Sequence, residues 1–407
     1  MRDITVTIQR CDIFCTVIDN FGDIGVCWRL ARQLQHEQQI AVRLFVDELA
    51  ALKMICPQAL ITGQQWLEGI EVYRWQPQSP ESTQPDADHC AADFSAHALP
   101  DLVIESFACE LPVRYIQAMV EAAAAGRAPK WLNLEYLALE DWADDCHGLR
   151  SVHPANGLAK HFYFPGFSPK TGGLLCESTL FAARDQWQAS PAQRDGLLSQ
   201  LGVDSLGFSG AESPLLVSLF AYPNTAVDAL LQAFGSYSRP VLCLVPEGKI
   251  LPQVAAFFGH TSLKQGDSVC LGNLTVQVLP FMEQRDYDAL LWSCDLNLVR
   301  GEDSFVRAQW AGQPLIWHIY PQEESAHLVK LDAFLARYLA ALPQPLAEQV
   351  NASWQAWNRP ELAAPQWHRL LDALPEWRAQ SRRWAAALYE QGDLVAKMRQ
   401  FLAKCEE

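Results

Sequence analysis

No uninterrupted apolar run in the sequence is long enough to cross a bilayer, and the first residues lack the basic-then-apolar pattern of a secretory signal. Those two absences point to a soluble protein of the cytoplasm, with no membrane partner. Positive charge is scarce as well: 31 lysines and arginines stand against 47 aspartates and glutamates, a formal net charge of −16. That balance excludes a general affinity for nucleic acid, which needs a basic face, and suits a cationic partner instead. The twelve cysteines never form a C-x-x-C pair, and the ten histidines never form H-x-x-x-H. A metal site therefore has no support, and buried, reduced thiols are expected. Also missing are the G-K-[ST] of a phosphate-binding P-loop and the full G-x-G-x-x-G of a dinucleotide fold.

What is present is an alternation of strand and helix patterns over a chain of 407 residues, too long for one ordinary core. The first unit is the clearest. An apolar run from Ile13 to Ile18 reads as a buried strand, Asp19-Asn20-Phe21-Gly22-Asp23-Ile24-Gly25 as a polar glycine loop, and the stretch from Val26 to Leu34 as a helix. In an open α/β sheet that loop lies at the carboxyl end of a strand, where ligands bind, and it carries two carboxylates, Asp19 and Asp23. The plain alternative is an ordinary strand-to-helix turn in which Asp23 helps to cap the helix. Further strands are expected at Ala41–Val46, Ile70–Trp75, Asp101–Glu105 and Trp131–Glu135, with helices between, and an exposed loop over 76–97.

Residues 137–173 break the rhythm with aromatics, histidines, glycines and prolines, and suit either packing between domains or the lining of a cleft. A second α/β series follows, with strands expected at Leu215–Leu219, Pro240–Val245, Leu274–Leu279, Asp295–Val299 and Pro314–Trp317. Its loop Arg300-Gly301-Glu302-Asp303-Ser304 repeats the design of the first: a strand, a polar glycine turn, a helix. Asp303 or Ser304 can cap that helix, whose free N–H groups would hold a pyrophosphate. The plain alternative is a capped helix with Glu302 exposed. From Leu331 onward the pattern is helical and rich in tryptophan.

The motifs D-N-F-G-D-I-G, L-E-Y-L with E-D-W and H-P, F-P-G-F with T-G-G, S-L-F-A-Y and R-G-E-D-S-F-V-R-A-Q-W occur in that order along nearly the whole chain. Together they resemble the bacterial protein-arginine rhamnosyltransferases that modify translation elongation factor P. The resemblance implies an α/β, GT-B glycosyltransferase fold, two facing Rossmann-like domains with a cleft between them and a helical C-terminal tail. It implies residues 1–180 as the acceptor-binding domain, 181–375 as the nucleotide-sugar-binding domain, and 376–407 as a helix returning to the first domain. The implied reaction is an inverting transfer of L-rhamnose from dTDP-β-L-rhamnose to an arginine of elongation factor P, with no cofactor and no metal. Asp19, Asp23 and Glu302 match the family's catalytic carboxylates. Phe220, Tyr222, Gln284, Tyr287, Arg300, Asp303 and Ser304 match its donor-binding residues. The residue types suit those tasks, because Phe220 and Tyr222 can stack a thymine ring and Arg300 can pair with a diphosphate, although both aromatics could equally serve a core. Competing readings are a GT-B enzyme acting on a small molecule or glycan, and a silent protein that only binds a translation factor. The first would need the same donor loop but a smaller acceptor face, and the second has no need for Asp23 and Glu302 as two carboxylates aimed into a cleft.

Overall fold

The structure is a computed structural model describing residues 8–18, 21–76, 90–203, 213–322, 325–359, 362 and 365–405. The chain divides into two compact units: Met1–Ser178 with Gln391–Glu407, and Thr179–Glu390.

In the first unit the elements follow as β1 (Arg10–Cys15), α1 (Gly22–Gln38), β2 (Ala41–Val46), α2 (Leu49–Ile55), β3 (Gln65–Leu67), β4 (Ile70–Arg74), β5 (Leu102–Ser106), α3 (Val113–Ala124), β6 (Lys130–Leu134), α4 (Trp142–Cys146), β7 (Arg150–Val152) and β8 (Ala159–Tyr163). Eight strands pair in the order β3-β4-β2-β1-β5-β6-β8-β7, parallel except for the two edges, β3 and β7. Strands β1 and β5 at the centre are almost wholly buried, as a parallel sheet requires, and the charge they bury is paired: Asp12 accepts from Arg43 Nε at 2.7 Å. Phe14 illustrates the packing, stacked on Phe45 with centroids 4.4 Å apart and edge-on to Trp75 and Tyr115.

The second unit contains α5 (Leu180–Gln188), α6 (Pro191–Gln200), β9 (Leu215–Leu219), α7 (Val227–Gly235), β10 (Val241–Pro246), α8 (Leu251–Phe257), β11 (Ser268–Leu271), β12 (Leu274–Leu279), α9 (Gln284–Ser293), β13 (Leu296–Arg300), α10 (Asp303–Ala311) and β14 (Leu315–His318). Helices α11 (Ala326–Ala340), α12 (Gln344–Asn358), α13 (Trp367–Asp372) and α14 (Leu374–Glu390) follow, and α15 (Leu394–Lys404) closes the chain. Its sheet runs β11-β12-β10-β9-β13-β14, with only β11 antiparallel. Most tryptophans of the helical region are core: Trp354, Trp357 and Trp377 are fully buried, while Trp384 is partly exposed. Phe305 of α10 stacks on Trp317 of β14 at 4.0 Å and meets Trp354 of α12 edge-on, so the late helices clamp the element that carries the second polar loop.

Three expectations need correction. Within 76–97, residues 77–89 lie outside the described residues, but Cys90, Ala92 and Phe94 are buried in the aromatic core around Phe14 rather than exposed. Residues 137–173 are not irregular throughout: they supply α4 and the β7–β8 hairpin that ends the sheet. Part of this segment packs within the first unit on the last helix, while Trp142 meets Phe164 edge-on and stays about half exposed. Phe401 of α15 contacts the rings of His147, His161 and Tyr163, and a Cβ on Gly148 would stand only 2.8 Å from the Phe401 ring. The tail also divides differently from the sequence reading. Helix α14 stays with the second unit and only the segment from Gln391 joins the first, where the Asp393 carboxylate caps α15 by accepting from the N–H groups of Val395 and Ala396.

Candidate functional site

In the second unit the polar loop forms because β13 ends at Arg300 and Gly301 turns the chain with φ +63°, a left-handed conformation that disfavours residues with a Cβ. The Gly301 carbonyl accepts the indole N–H of Trp317 at 2.7 Å, which fixes the turn to β14. Neither Asp303 nor Ser304 caps α10. Glu302 occupies the cap position without a side-chain bond to the helix, and the Ser304 hydroxyl donates back to the Arg300 carbonyl. The first N–H groups of an α-helix have no partner within the helix, so the start of α10 is a place suited to an anion. Lys330 of α11 donates to Glu302 Oε1 at 3.0 Å, with both side chains about four-fifths buried, so Glu302 is not the exposed residue of the plain reading.

Arg300 sits beside two aromatics that follow β9. Its guanidinium carbon is 4.2 Å from the centroid of Phe220 and 4.9 Å from that of Tyr222. The Phe220 N–H donates to the Leu298 carbonyl at 2.9 Å, so β9 and β13 end together. Tyr287, one turn into α9, meets Phe220 edge-on at 5.7 Å, and burial pushes its phenol well above the ordinary value. Gln284, the first residue of α9, donates from Nε2 to Asp303 Oδ2 at 3.3 Å. A buried ion pair, Arg307 to Asp288 at 3.0 and 2.7 Å, holds α9 and α10 side by side. Phe220, Tyr222, Gln284, Tyr287, Arg300, Glu302, Asp303 and Ser304 thus gather at the carboxyl ends of β9 and β13 and the starts of α9 and α10.

Three residues that the sequence reading missed share this place. His318, opposite Arg300 in the register of β13 and β14, lies edge-on to Tyr222 at 5.5 Å. Burial first, and the Arg300 charge second, push its pKa down from 6.5 to about 3, so the ring is neutral. Tyr320 also meets Tyr222 edge-on, at 5.3 Å, while remaining 47% exposed, and the Lys249 ammonium lies 5.9 Å from the Tyr222 centroid. The available signal was position: Tyr320 follows its strand end as Tyr222 follows β9.

In the first unit Asp23 is the second residue of α1 and is 2% exposed. It does not cap the helix, where Phe21 takes the cap position. Its Oδ2 instead accepts the Ile18 N–H at 2.7 Å and closes the loop back on the end of β1. Asp47, also overlooked in the sequence, braces the same loop by accepting the Val17 N–H at 2.9 Å. Asp19 lies outside the described residues.

Two parallel-dominated α/β units in one chain, one of them gathering an arginine against two aromatic rings beside a helix N-terminus at its strand ends, define a glycosyltransferase of the GT-B class. The family described as elongation factor P (EF-P) rhamnosyltransferase EarP matches residues 11–403, and the chain belongs to it. Its relatives include a protein-arginine rhamnosyltransferase of Pseudomonas aeruginosa, 49% identical over 96% of this chain and 98% of that one. Another, from Shewanella oneidensis, is 39% identical over 97% of each chain. A solved structure described as the basis for EarP-mediated arginine glycosylation of translation elongation factor EF-P superposes with a TM-score of 0.66 at 35% identity, covering 97% of this chain and 99% of the other.

Proposed function

We propose that this chain transfers L-rhamnose from dTDP-β-L-rhamnose to the side chain of one arginine of elongation factor P, in the cytoplasm, with inversion at the anomeric carbon. Membership of the family supports the reaction. The observation that carries the donor assignment is the placement of Arg300 against Phe220 and Tyr222 beside the start of α10. Aromatic faces bind a base, while a guanidinium and helix N–H groups bind a diphosphate. Gln284 serves the base edge, Tyr287 backs Phe220, and Asp303 orients Gln284 while its own N–H and that of Ser304 face the phosphates. The second unit is then the donor unit and the first the acceptor unit.

The acceptor sets the chemical problem. Arginine has a pKa of about 13 to 14, so full deprotonation at pH 7 would cost about 9 kcal/mol. A carboxylate overcomes this by taking the proton as the bond forms, or by polarising the guanidinium so that one nitrogen regains a lone pair. That nitrogen attacks C1 of the sugar, the C1–O bond to the diphosphate breaks, the carboxylate holds the proton, and dTDP leaves against Arg300 and α10. Asp23 takes this role, held in orientation by the Ile18 N–H. Asp19 supports it, and Glu302, held by Lys330, is the third catalytic carboxylate. Incubation of elongation factor P with this protein and dTDP-rhamnose should add the mass of one rhamnose, mapped by fragmentation to a single arginine. An unmodified acceptor in the presence of folded, dTDP-binding protein would overturn the proposal.

A further inference from the structure

Two consecutive residues with side chains, Phe107 (φ 57°) and Ala108 (φ 55°), adopt left-handed backbone immediately after β5. That conformation disfavours every residue with a Cβ, and such outliers gather where surrounding structure imposes them for binding or catalysis. Here the turn is pinned on both sides. The Phe107 N–H donates to the Leu134 carbonyl at the end of β6 at 2.7 Å, and the Cys109 thiol donates to the Phe14 carbonyl of β1 at 3.3 Å. The product is a supported aromatic ledge. Phe107 is buried, and its ring lies nearly parallel to that of Tyr136, with centroids 4.7 Å apart, while Tyr136 keeps 36% of its surface exposed.

The ledge stands close to the proposed acceptor loop. Strand β5 neighbours β1, and β6 neighbours β5. With strands about 4.8 Å apart, the end of β6 lies about 10 Å from the end of β1, after which α1 carries Asp23. Acidic side chains predominate around it, although Arg114 and Arg150 flank the two segments and Lys170 lies 4.0 Å from Asp144. Segments 107–113 and 135–149 contain Glu110, Glu135, Glu140, Asp141, Asp144 and Asp145 but no lysine or arginine. The nearby cation Lys160 is bound to both oxygens of Glu105, at 2.9 and 3.1 Å. Tyr136 belongs to the L-E-Y-L segment, to which the donor and carboxylate assignments give no task.

We propose that Tyr136, backed by Phe107, is the platform on which the acceptor arginine stacks its guanidinium, with the surrounding carboxylates attracting the basic loop that presents it. A planar guanidinium on an aromatic face is held by cation–π attraction while its edge nitrogens stay available to a carboxylate and to the sugar. The inference rests on the reading of the first unit as the acceptor unit.

The test is steady-state rhamnosylation of elongation factor P by the full-length protein and its Tyr136→Ala, Tyr136→Leu and Tyr136→Phe variants, with dTDP affinity measured in each. Tyr136→Ala and Tyr136→Leu should raise the acceptor KM about tenfold while dTDP affinity and the donor KM stay at the wild-type value. Tyr136→Phe, which keeps the ring, should restore the acceptor KM. An unchanged acceptor KM in both ring-deleting variants overturns the platform, as does a loss of dTDP affinity, which would put the nucleotide on the ring. A wild-type protein inactive toward elongation factor P would instead overturn the function proposed above, whatever the variants did.

Discussion

Asp23 shows how a single side chain can carry two tasks that mutagenesis must separate. Its Oδ2 ties the loop by accepting from Ile18, and the proposed chemistry needs its charge. Asparagine keeps an oxygen for the Ile18 N–H but loses basicity, whereas alanine loses both. Asp23→Asn should therefore fold and bind donor normally yet turn over at well under a tenth of the wild-type rate. A loss smaller than that, under about 1.4 kcal/mol in the transition state, would leave Asp23 as a loop tie only. His318 offers a second prediction at this scale. Its folded pKa, about 3, lies below the ordinary 6.5, so the unfolded chain binds one more proton throughout that window. The stability held through the neutral ring is complete above pH 6.5 and falls as pH drops toward 3, by at most about 1.4 kcal/mol per pH unit. Urea unfolding at pH 7 and pH 5 should thus show a pH penalty smaller by up to about 2 kcal/mol in His318→Phe than in the wild type. An identical penalty in both proteins would mean that the folded ring takes up a proton as readily as the unfolded one, so that its pKa is not lowered by folding.

At the scale of elements, α9 and α10 are useful because they start side by side, and the Arg307–Asp288 pair is what aligns them. Removing one member strands a buried charge, so Arg307→Met should cost about 3–5 kcal/mol, while joining it with Asp288→Leu should recover much of the loss. Chemical denaturation checks this, and equal instability of the single and double variants would contradict it. The elements themselves were legible in the sequence where apolar runs fit a buried parallel strand: Leu215–Leu219 and Leu274–Leu279 were located to the residue. The edge strands β3, β7 and β11 were not, because three or four residues of mixed polarity become strands only through a partner. Both caps misled for a similar reason. Asp23 and Ser304 have the right residue types at helix starts, but their oxygens bond to Ile18 and Arg300 behind the helix, a choice that only the loop's closure decides. His318 escaped notice because a histidine ending an apolar strand has no pattern of its own.

For the whole molecule the two units have separate aromatic cores, one around Phe14 and Phe45, the other around Phe305, Trp317 and Trp354. A ligand held by one unit stabilises that unit by mass action, and where the two units melt in separate transitions only that unit's transition rises. Calorimetry should therefore resolve which unit binds the donor. Phe14→Ala deletes a ring buried in the first unit and should lower its transition, since such deletions cost about 3–5 kcal/mol. dTDP at about a hundred times its Kd should raise the remaining transition, adding about 2.7 kcal/mol to that unit. In Tyr222→Ala or Phe220→Ala the rise at the same dTDP concentration should shrink, because losing a base-stacking ring weakens binding by about 1–3 kcal/mol. If dTDP raised the transition that Phe14→Ala lowers, the nucleotide would belong to the unit of Asp23, and the division of donor and acceptor between the two sheets would have to be reversed.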